Sequence, residues 1–176
     1  MRGKRVAIVG NARALADMDY GEDIDEADLV VRINRAPRPS ALSHGTRTDW
    51  LALATSLDRR KARSIGARRI LWMSPKRKRL PLWALDTEGF YLHPDGEFAS
   101  LRDLLGAPPT TGLMMIDMAA ESEAAAIDLY GFDFFASLSL TGSRSAADVP
   151  HDFGGEAAFV EQLIETDPRV TLYPMK

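Results

Sequence analysis

His151 is the histidine of this chain whose sequence surroundings could support a proton transfer. It lies at the entry to a predicted helix, and Glu156 lies in the first turn of that helix. The positive end of a helix dipole favours the neutral imidazole, whereas a nearby carboxylate favours the charged one, so the direction of any pKa shift stays open. A neutral imidazole is the form that a general base needs to take a proton from a hydroxyl group. A purely structural histidine is the alternative on local sequence alone.

Two asparagines follow two predicted strands and are candidates for binding a nucleotide. Apolar, β-branched runs at 5–9 and 29–33 end at Gly10-Asn11 and at Asn34, respectively. In parallel α/β sheets, ligands bind outside the carboxyl ends of the strands. An amide side chain can donate to a phosphate and accept from a ribose or a base without adding charge. Ordinary turn residues are an equally good interpretation of the two asparagines.

A threonine pair precedes a predicted apolar helix over 113–121. Thr110 or Thr111 is well placed to cap this helix, and Gly112 follows them directly. A helix start also offers free backbone N–H groups and a positive dipole end, which together can hold an anion. Capping alone is the simpler interpretation. The strand predicted next, over 125–130, ends at Gly131.

Several common ligand-binding signatures are absent from the sequence. The turn after the first strand, Gly10-Asn11-Ala12-Arg13, matches neither the dinucleotide fingerprint nor a Walker loop. The second strand ends in Asn34-Arg35 where an NAD-binding protein carries an acidic residue, which argues against an oxidoreductase. Two D-x-D triplets at 17–19 and 23–25 precede the second strand instead of following a strand, so we predict no metal site.

The remaining histidines, His44 and His93, lie in loop-like sequence with no evident partner. Side chains in such segments are usually solvated, so we expect both histidines at the protein surface. Lys and Arg occupy 76–79 without interruption. We expect a solvated loop there, with an anionic substrate or a membrane surface as the alternative.

Composition and length limit the class of protein. The 176 residues suit one domain over 1–176, and no apolar run approaches the roughly 20 residues of a transmembrane segment. The net charge of −3 argues against nucleic acid as the main partner. The chain has no cysteine and its N-terminus has no signal-peptide pattern, which is compatible with a cytoplasmic protein.

Strands and helices are predicted to alternate along the whole chain. Further strands are expected at 49–54, 69–73 and 170–173, and further helices at 57–65, at 98–105 and after His151. This alternation predicts an α/β three-layer sandwich with a mainly parallel sheet. The segment 74–109, rich in proline, glycine and mixed charge, is expected to form a lid or an acceptor-facing loop.

Three pieces of the chain, in order, resemble the sialyltransferases of glycosyltransferase family 29, which use CMP-sugar donors. Residues 6–37, continued by 45–48, resemble the long L motif of that family. Residues 109–135 resemble its S motif, and 151–156 resemble its very short VS motif. The span 57–105 is largely outside the resemblance.

The resemblance implies a fold and a reaction. The fold is a single-domain, Rossmann-like variant of the GT-A fold. The reaction is an inverting, metal-independent transfer of sialic acid, or of a related acidic sugar such as Kdo, from a CMP-sugar to a hydroxyl of a glycan or glycolipid. The CMP-sugar is a substrate, and no cofactor is implied. A monophosphate leaving group carries less charge than a diphosphate, so amides and a helix N-terminus could stabilise it without a cation.

The resemblance also implies roles for individual residues. His151 would be the general base, supported by Glu156. The donor would be bound by residues that follow strands or begin a helix: Asn11 and Asn34 on the phosphate and ribose, Thr110, Thr111 and Gly112 on the ribose or carboxylate, and Gly131 beside the nucleotide.

Departures from the family pattern leave two alternatives open. Residues 136–150 contain no His or Tyr, so the family's third motif is not evident, and a donor-phosphate contact is missing or is supplied by Ser143 or Arg144. The cysteines of animal members are absent, which fits a small bacterial member. A catalytically inactive CMP- or nucleotide-binding module of the same fold is one alternative. A structural α/β protein, whose Asn and His residues serve only turns and caps, is the other.

Overall fold

The computed structural model describes residues 1–134, 140 and 150–175. Ser143 and Arg144, the sequence candidates for a replacement phosphate contact, lie outside the described residues.

In the described residues, seven strands form one sheet whose pairings are all parallel. The order across the sheet is β5-β4-β3-β2-β1-β6-β7. The strands are β1 (Arg5–Val9), β2 (Leu29–Ile33), β3 (Trp50–Leu53), β4 (Arg69–Trp72), β5 (Tyr91–Leu92), β6 (Ala126–Tyr130) and β7 (Val170–Leu172). The predicted parallel sheet is confirmed.

Helices connect the strands. They are α1 (Gly21–Asp25), α2 (Ala41–His44), α3 (Arg59–Ile65), α4 (Leu82–Leu85), α5 (Asp95–Leu105), α6 (Thr111–Ala120) and α7 (Phe153–Thr166), with 3-10 turns at Arg13–Asp17 and Arg77–Arg79. Of these, α3, α5, α6 and α7 correspond to predicted helices, whereas α1, α2 and α4 were not predicted. Asp58 caps the N-terminus of α3, and Gly66, at φ +79°, ends it in the left-handed conformation. Predicted and observed boundaries agree within a few residues.

Helices cover both faces of the sheet, as the three-layer prediction requires. Side chains of β1 alternate between the faces: Val6 and Ile8 pack with α5, α6 and α7, whereas Ala7 and Val9 pack with α1 and the first 3-10 turn. Further along that second face, β3 and β4 pack against α3 and α4. Among the described residues, none of the helices is both long and apolar enough to cross a lipid bilayer.

The predicted helix at 98–105 is present within the segment 74–109, but the rest of the segment is not the loop that its composition suggests. It contains α4, the edge strand β5 and the eleven-residue helix α5. Strand β5 has two residues, which is too short for an alternation pattern to be recognised.

The expectation that His44 and His93 are surface residues is wrong. Both side chains are buried: His44 is the last residue of helix α2, and His93 follows strand β5. Burial, with the nearby Arg32 guanidinium, lowers the pKa of His44 to about 4. Burial also lowers the pKa of His93. Both imidazoles are therefore neutral at physiological pH.

The order in which strands are added reverses at β1, with β2 to β5 on one side of it and β6 and β7 on the other, and two glycines meet between β1 and β6. A Cβ on Gly10 would lie 2.2 Å from the carbonyl oxygen of Gly131. Gly131 has φ +71°, and the Gly10 N–H donates to the Tyr130 carbonyl at 2.7 Å. The two strands can leave the sheet this close together because neither turn carries a side chain.

We expect Gly10→Ala to lower the free energy of unfolding by at least about 2 kcal/mol, since overpacking a rigid backbone contact costs that much. Urea unfolding measures it. Gly96→Ala is the matched control, because a Cβ there, in the first turn of α5, meets nothing within 4 Å. The control should be neutral or stabilising. Equal stability of the Gly10 variant and the wild type would contradict the close contact.

Candidate functional site

The two candidate asparagines hold the carboxyl ends of neighbouring strands together. The Asn11 amide donates to the carbonyl of Ile33 at 3.3 Å, which joins the end of β1 to the end of β2. Asn34 has φ +52°, a left-handed conformation that asparagine tolerates better than most residues. Its Oδ1 accepts from the Ala54 N–H at 3.1 Å, and its Nδ2 donates to Thr111 Oγ1 at 3.3 Å. Asn34 thus connects β2 with the segment after β3 and with the start of α6.

Helix α6 also begins at the carboxyl ends of the strands. Thr110, rather than Thr111, is its N-cap, because the Thr110 hydroxyl oxygen accepts from the Leu113 N–H at 3.1 Å. Gly112 packs against Phe132, so that a Cβ at Gly112 would lie 2.7 Å from the phenyl ring. The first turn of α6 therefore directs backbone N–H groups and the positive end of the helix dipole towards Asn34.

Glu156, in the first turn of α7, is buried and bound to the cap of α6. The Thr110 N–H donates to its Oε1 at 2.6 Å, and the Thr110 hydroxyl donates to its Oε2 at 2.7 Å. Burial raises the pKa of Glu156 to about 7, although these two hydrogen bonds oppose the rise. The sequence predicted that Glu156 supports His151, whereas the hydrogen bonds of its carboxylate in the described residues go to Thr110. Glu156 therefore positions the start of α6.

His151 is half-buried just before α7 and is oriented by the same stretch of chain. Its Nδ1 lies 2.7 Å from the carbonyl oxygen of Pro108. A carbonyl oxygen can only accept, so Nδ1 carries the proton and donates. In the neutral ring this leaves a lone pair on Nε2, which is the atom that can take a proton. Pro108 is the partner that the sequence reasoning missed, 43 residues away along the chain.

Three hydrogen bonds, together with the short stretch of chain over 108–111, bring the candidates together. His151 contacts Pro108, Glu156 contacts Thr110, and Thr111 contacts Asn34. The structure therefore brings together the entries to α6 and α7 and the end of β2. Asn11 lies at the carboxyl end of β1, the strand next to β2. Gly131 lies beside the end of β1, where it contacts the backbone of Gly10.

A buried arginine, which sequence reasoning did not identify, fixes the loop before β3. Arg32 lies in β2; its Nε donates to the Arg47 carbonyl at 2.8 Å, and one terminal nitrogen donates to the His44 carbonyl at 2.6 Å. Burial lowers the pKa of Arg32 to about 10, so it stays charged at neutral pH. An arginine inside an apolar strand is the sequence signal that could have indicated it.

The second D-x-D triplet is part of the same scaffold. Asp25 accepts from the backbone N–H groups of Thr46, at 2.7 Å, and Arg47, at 2.9 Å. Burial alone would raise the pKa of Asp25, but these hydrogen bonds lower it overall. Among residues 1–134 and 150–175, no three His, Asp or Glu side chains are grouped in a way that could hold a metal ion. Metal independence stays a prediction.

The class of protein follows from this geometry. An open, all-parallel α/β sheet presents amides, a helix N-terminus and an oriented histidine at the carboxyl ends of its strands. Rossmann-like α/β proteins bind their ligands at this edge, near the point where the strand order reverses.

Comparison with known sequences finds a family match over part of the chain. Residues 2–76 match the family described as glycosyltransferase family 29 (sialyltransferase). A segment of 34 residues is 53% identical to CMP-N-acetylneuraminate-beta-galactosamide-alpha-2,3-sialyltransferase 1 of Gallus gallus; it represents 19% of this chain and spans a tenth of that protein. Over residues 2–76 the chain is similar to glycosyltransferase family 29.

Solved structures of sialyltransferases share the fold over nearly the whole chain. A mammalian sialyltransferase in complex with Gal-beta-1-3GalNAc-ortho-nitrophenol is 18% identical with a TM-score of 0.69, covering 99% of this chain and 70% of that one. The sialyltransferase CstII from Campylobacter jejuni, in complex with cytidine-5'-monophosphate, is 18% identical with a TM-score of 0.63, covering 98% of this chain and 80% of that one. At this identity the likeness establishes the fold.

The raised pKa of Glu156 predicts a pH-dependent stability. The folded chain holds this proton more tightly than the unfolded chain, so the stabilisation is present below pH 4.5 and is lost as pH rises through 7. Glu156→Gln keeps a donor and an acceptor for Thr110 but cannot ionise. As pH rises from 5 to 8, we expect the free energy of unfolding of the variant to increase by about 3 kcal/mol relative to that of the wild type. Urea unfolding at each pH measures this difference.

Glu161→Gln is the control for this experiment, since Glu161 lies exposed on the same helix. Its unfolding curves should follow those of the wild type at every pH. If Glu156→Gln and the wild type also stayed parallel from pH 5 to pH 8, the Glu156 carboxyl would not change its charge in this range.

Proposed function

We propose that this chain is a CMP-sugar-dependent sialyltransferase that moves sialic acid, or a related acidic sugar, to a hydroxyl of a glycan or glycolipid. The match of residues 2–76 to the sialyltransferase family supports the reaction class. The observation that carries the proposal is the hydrogen bond from His151 Nδ1 to Pro108, because it leaves Nε2 free to act as a base beside the N-terminus of α6. Proteins of the same fold have been crystallised with CMP and with CMP-3FNeuAc, the latter a substrate analogue.

The proposed step is a single displacement with inversion. The acceptor hydroxyl gives its proton to His151 Nε2 as its oxygen forms a bond to the anomeric carbon. The bond between that carbon and the CMP phosphate oxygen breaks, and CMP leaves with the electron pair. The oriented N–H groups of α6 and the amides of Asn11 and Asn34 stabilise the negative charge that develops on the phosphate. No metal ion takes part in this step.

Glu156 contributes through position. Its two hydrogen bonds to Thr110 hold the start of α6, and the next residue, Thr111, holds Asn34. The donor-binding groups are therefore kept in place by a residue that does not touch the donor. Gly112 leaves room for the Phe132 ring, and Gly131 leaves room for the backbone of Gly10.

The base assignment is tested with His151→Asn. The asparagine amide can reproduce the hydrogen bond to the Pro108 carbonyl, but it offers no basic nitrogen at the position of Nε2. We expect kcat for transfer from CMP-sialic acid, with EDTA present, to fall by about 10² to 10⁴. The stabilisation by CMP in thermal unfolding should be unchanged. Undiminished transfer would remove His151 from the mechanism, whereas CMP binding by a wild type that transfers no sugar would indicate an inactive nucleotide-binding module.

The donor site is tested with Asn34→Asp. The carboxylate keeps an oxygen for the Ala54 N–H, but it removes the amide donor and adds a negative charge near the proposed phosphate position. We expect CMP to bind about 10- to 100-fold more weakly, since a hydrogen bond to a charged group is lost. Calorimetric titration with CMP, and with UMP for comparison, measures the effect. Unchanged CMP affinity would place the phosphate elsewhere.

A further inference from the structure

Charge is strongly segregated along this chain. Residues 59–79 contain ten of the 22 lysines and arginines and none of the 25 aspartates and glutamates. The rest of the chain is therefore strongly acidic, although the net charge is only −3. The proposed function uses none of these ten cations.

The helix that carries the first part of the basic segment packs beside the helix that follows its last part. Helices α3 and α4 pack on the same face of β3 and β4, through Ala62 of α3 and Ala84 of α4. Trp83 connects them further, since its indole N–H donates to the Leu57 carbonyl at 3.0 Å. A cleft of about 200 Å³ lies between the two helices, with Arg59 and Arg63 in its lining.

Seven of the ten cations have side chains with neither a carboxylate nor a carbonyl partner within the part of the chain that the structure describes. Three others are engaged elsewhere: Arg68 with Asp49, Arg69 with the Gly89 carbonyl, and Arg77 with Asp95. The unpaired side chains are Arg59, Arg60, Lys61, Arg63, Lys76, Lys78 and Arg79. Of these, the members of 59–63 lie on α3, and the rest directly precede α4.

Two leucines project from the same surface into solvent. Leu82 is 79% exposed and Leu85 is 50% exposed. They are three residues apart and so share one side of α4, whereas Trp83 and Ala84 between them face the interior. An exposed leucine pair beside unpaired cations is typical of a surface that binds the boundary of an anionic membrane.

We propose that this basic–apolar surface, made of α3, residues 76–79 and α4, binds the chain to an anionic lipid bilayer. The cations contact lipid phosphates, and Leu82 and Leu85 enter the region between headgroups and acyl chains. Charge complementarity supplies the attraction, and the leucines supply the preference for a lipid surface. One carboxylate lies within this surface, since Asp86 lines the same cleft as Arg59 and Arg63.

A nucleic acid would use the cations but not the leucines. Single-stranded nucleic acids stack their bases on exposed aromatic rings, and Trp83 is partly buried against the core with its N–H bound to the Leu57 carbonyl. Leucines exposed to solvent at a phosphate backbone would gain nothing. A lipid surface therefore accounts for both the unpaired cations and the exposed leucines.

The geometry also relates this surface to the candidate site. Residues 76–79 follow β4 at its carboxyl end, the sheet edge that holds Asn11 and Asn34. Strand β4 is three strands from β1, which corresponds to about 14 Å at the usual spacing. A chain bound through this surface would hold the candidate site near the membrane. Binding itself does not depend on the proposed function, so it can be tested without any transfer assay.

Vesicle flotation tests the proposal with the full chain. We expect the protein to float with vesicles of phosphatidylcholine containing about 30 mol % phosphatidylglycerol, and not with phosphatidylcholine alone. Raising the salt to about 0.5 M should release it. Lys78→Gln with Arg79→Gln should weaken partitioning about 30-fold, and Leu82→Ser about tenfold.

Matched controls lie elsewhere on the chain. Lys4→Gln with Arg102→Gln removes the same number of exposed charges, and Leu104→Ser changes a leucine that is 68% exposed on α5. Both controls should float like the wild type. All four variants change exposed side chains, so their thermal unfolding should match that of the wild type.

Three results would overturn the proposal. Equal loss of binding in the control variants would show that overall charge, and not this surface, is responsible. Flotation with phosphatidylcholine alone would remove the role of the cations. Binding to a random-sequence oligonucleotide at the same salt, with no flotation, would identify a nucleic-acid surface instead.

Discussion

The contact between Glu156 and Thr110 is the constraint on which the candidate site depends. A buried carboxylate is costly unless its oxygens accept hydrogen bonds, and here both do so from one residue. That residue is the N-cap of α6, so the electrostatic requirement of a side chain on α7 fixes where another helix begins. The position of α6 in turn sets the Thr111 hydroxyl against Asn34. This one contact therefore controls the relative positions of groups on α7, at the start of α6 and at the end of β2.

The sheet contributes the other half of the site. Its strand order reverses between β1 and β6, and the two strands can diverge there only because Gly10 and Gly131 lack side chains. Asparagine at the ends of β1 and β2 then satisfies backbone groups that the end of a strand would leave unpaired. The amides that we propose to bind the donor thus also pair with backbone groups at the carboxyl ends of the strands. A structural and a ligand-binding role are compatible at these positions, since each amide has more than one hydrogen-bonding group.

Sequence reasoning succeeded where the signal is local. Strands β1 and β2 match their predicted bounds because continuous apolar runs end at turn residues, and the end of α3 at Gly66 follows from its left-handed conformation. It failed where the signal depends on partners far along the chain. Glu156 and Thr110 are 46 residues apart, and nothing near either residue indicates the other. The burial of His44 and His93 was missed for a related reason, because a four-residue helix and a two-residue strand leave no periodic pattern.

Net charge illustrates the same distinction between local and global information. A value of −3 argues against an anionic partner only if the charges are mixed, and over 59–79 they are not. Within a Debye length of about 10 Å, a surface interacts through its own charges and not through the sum over the chain. The basic segment and the leucines of α4 become one surface only because α3 and α4 pack on the same strands. Because β4 ends at the same sheet edge as β1 and β2, a partner bound there approaches the candidate site from the side of the basic segment.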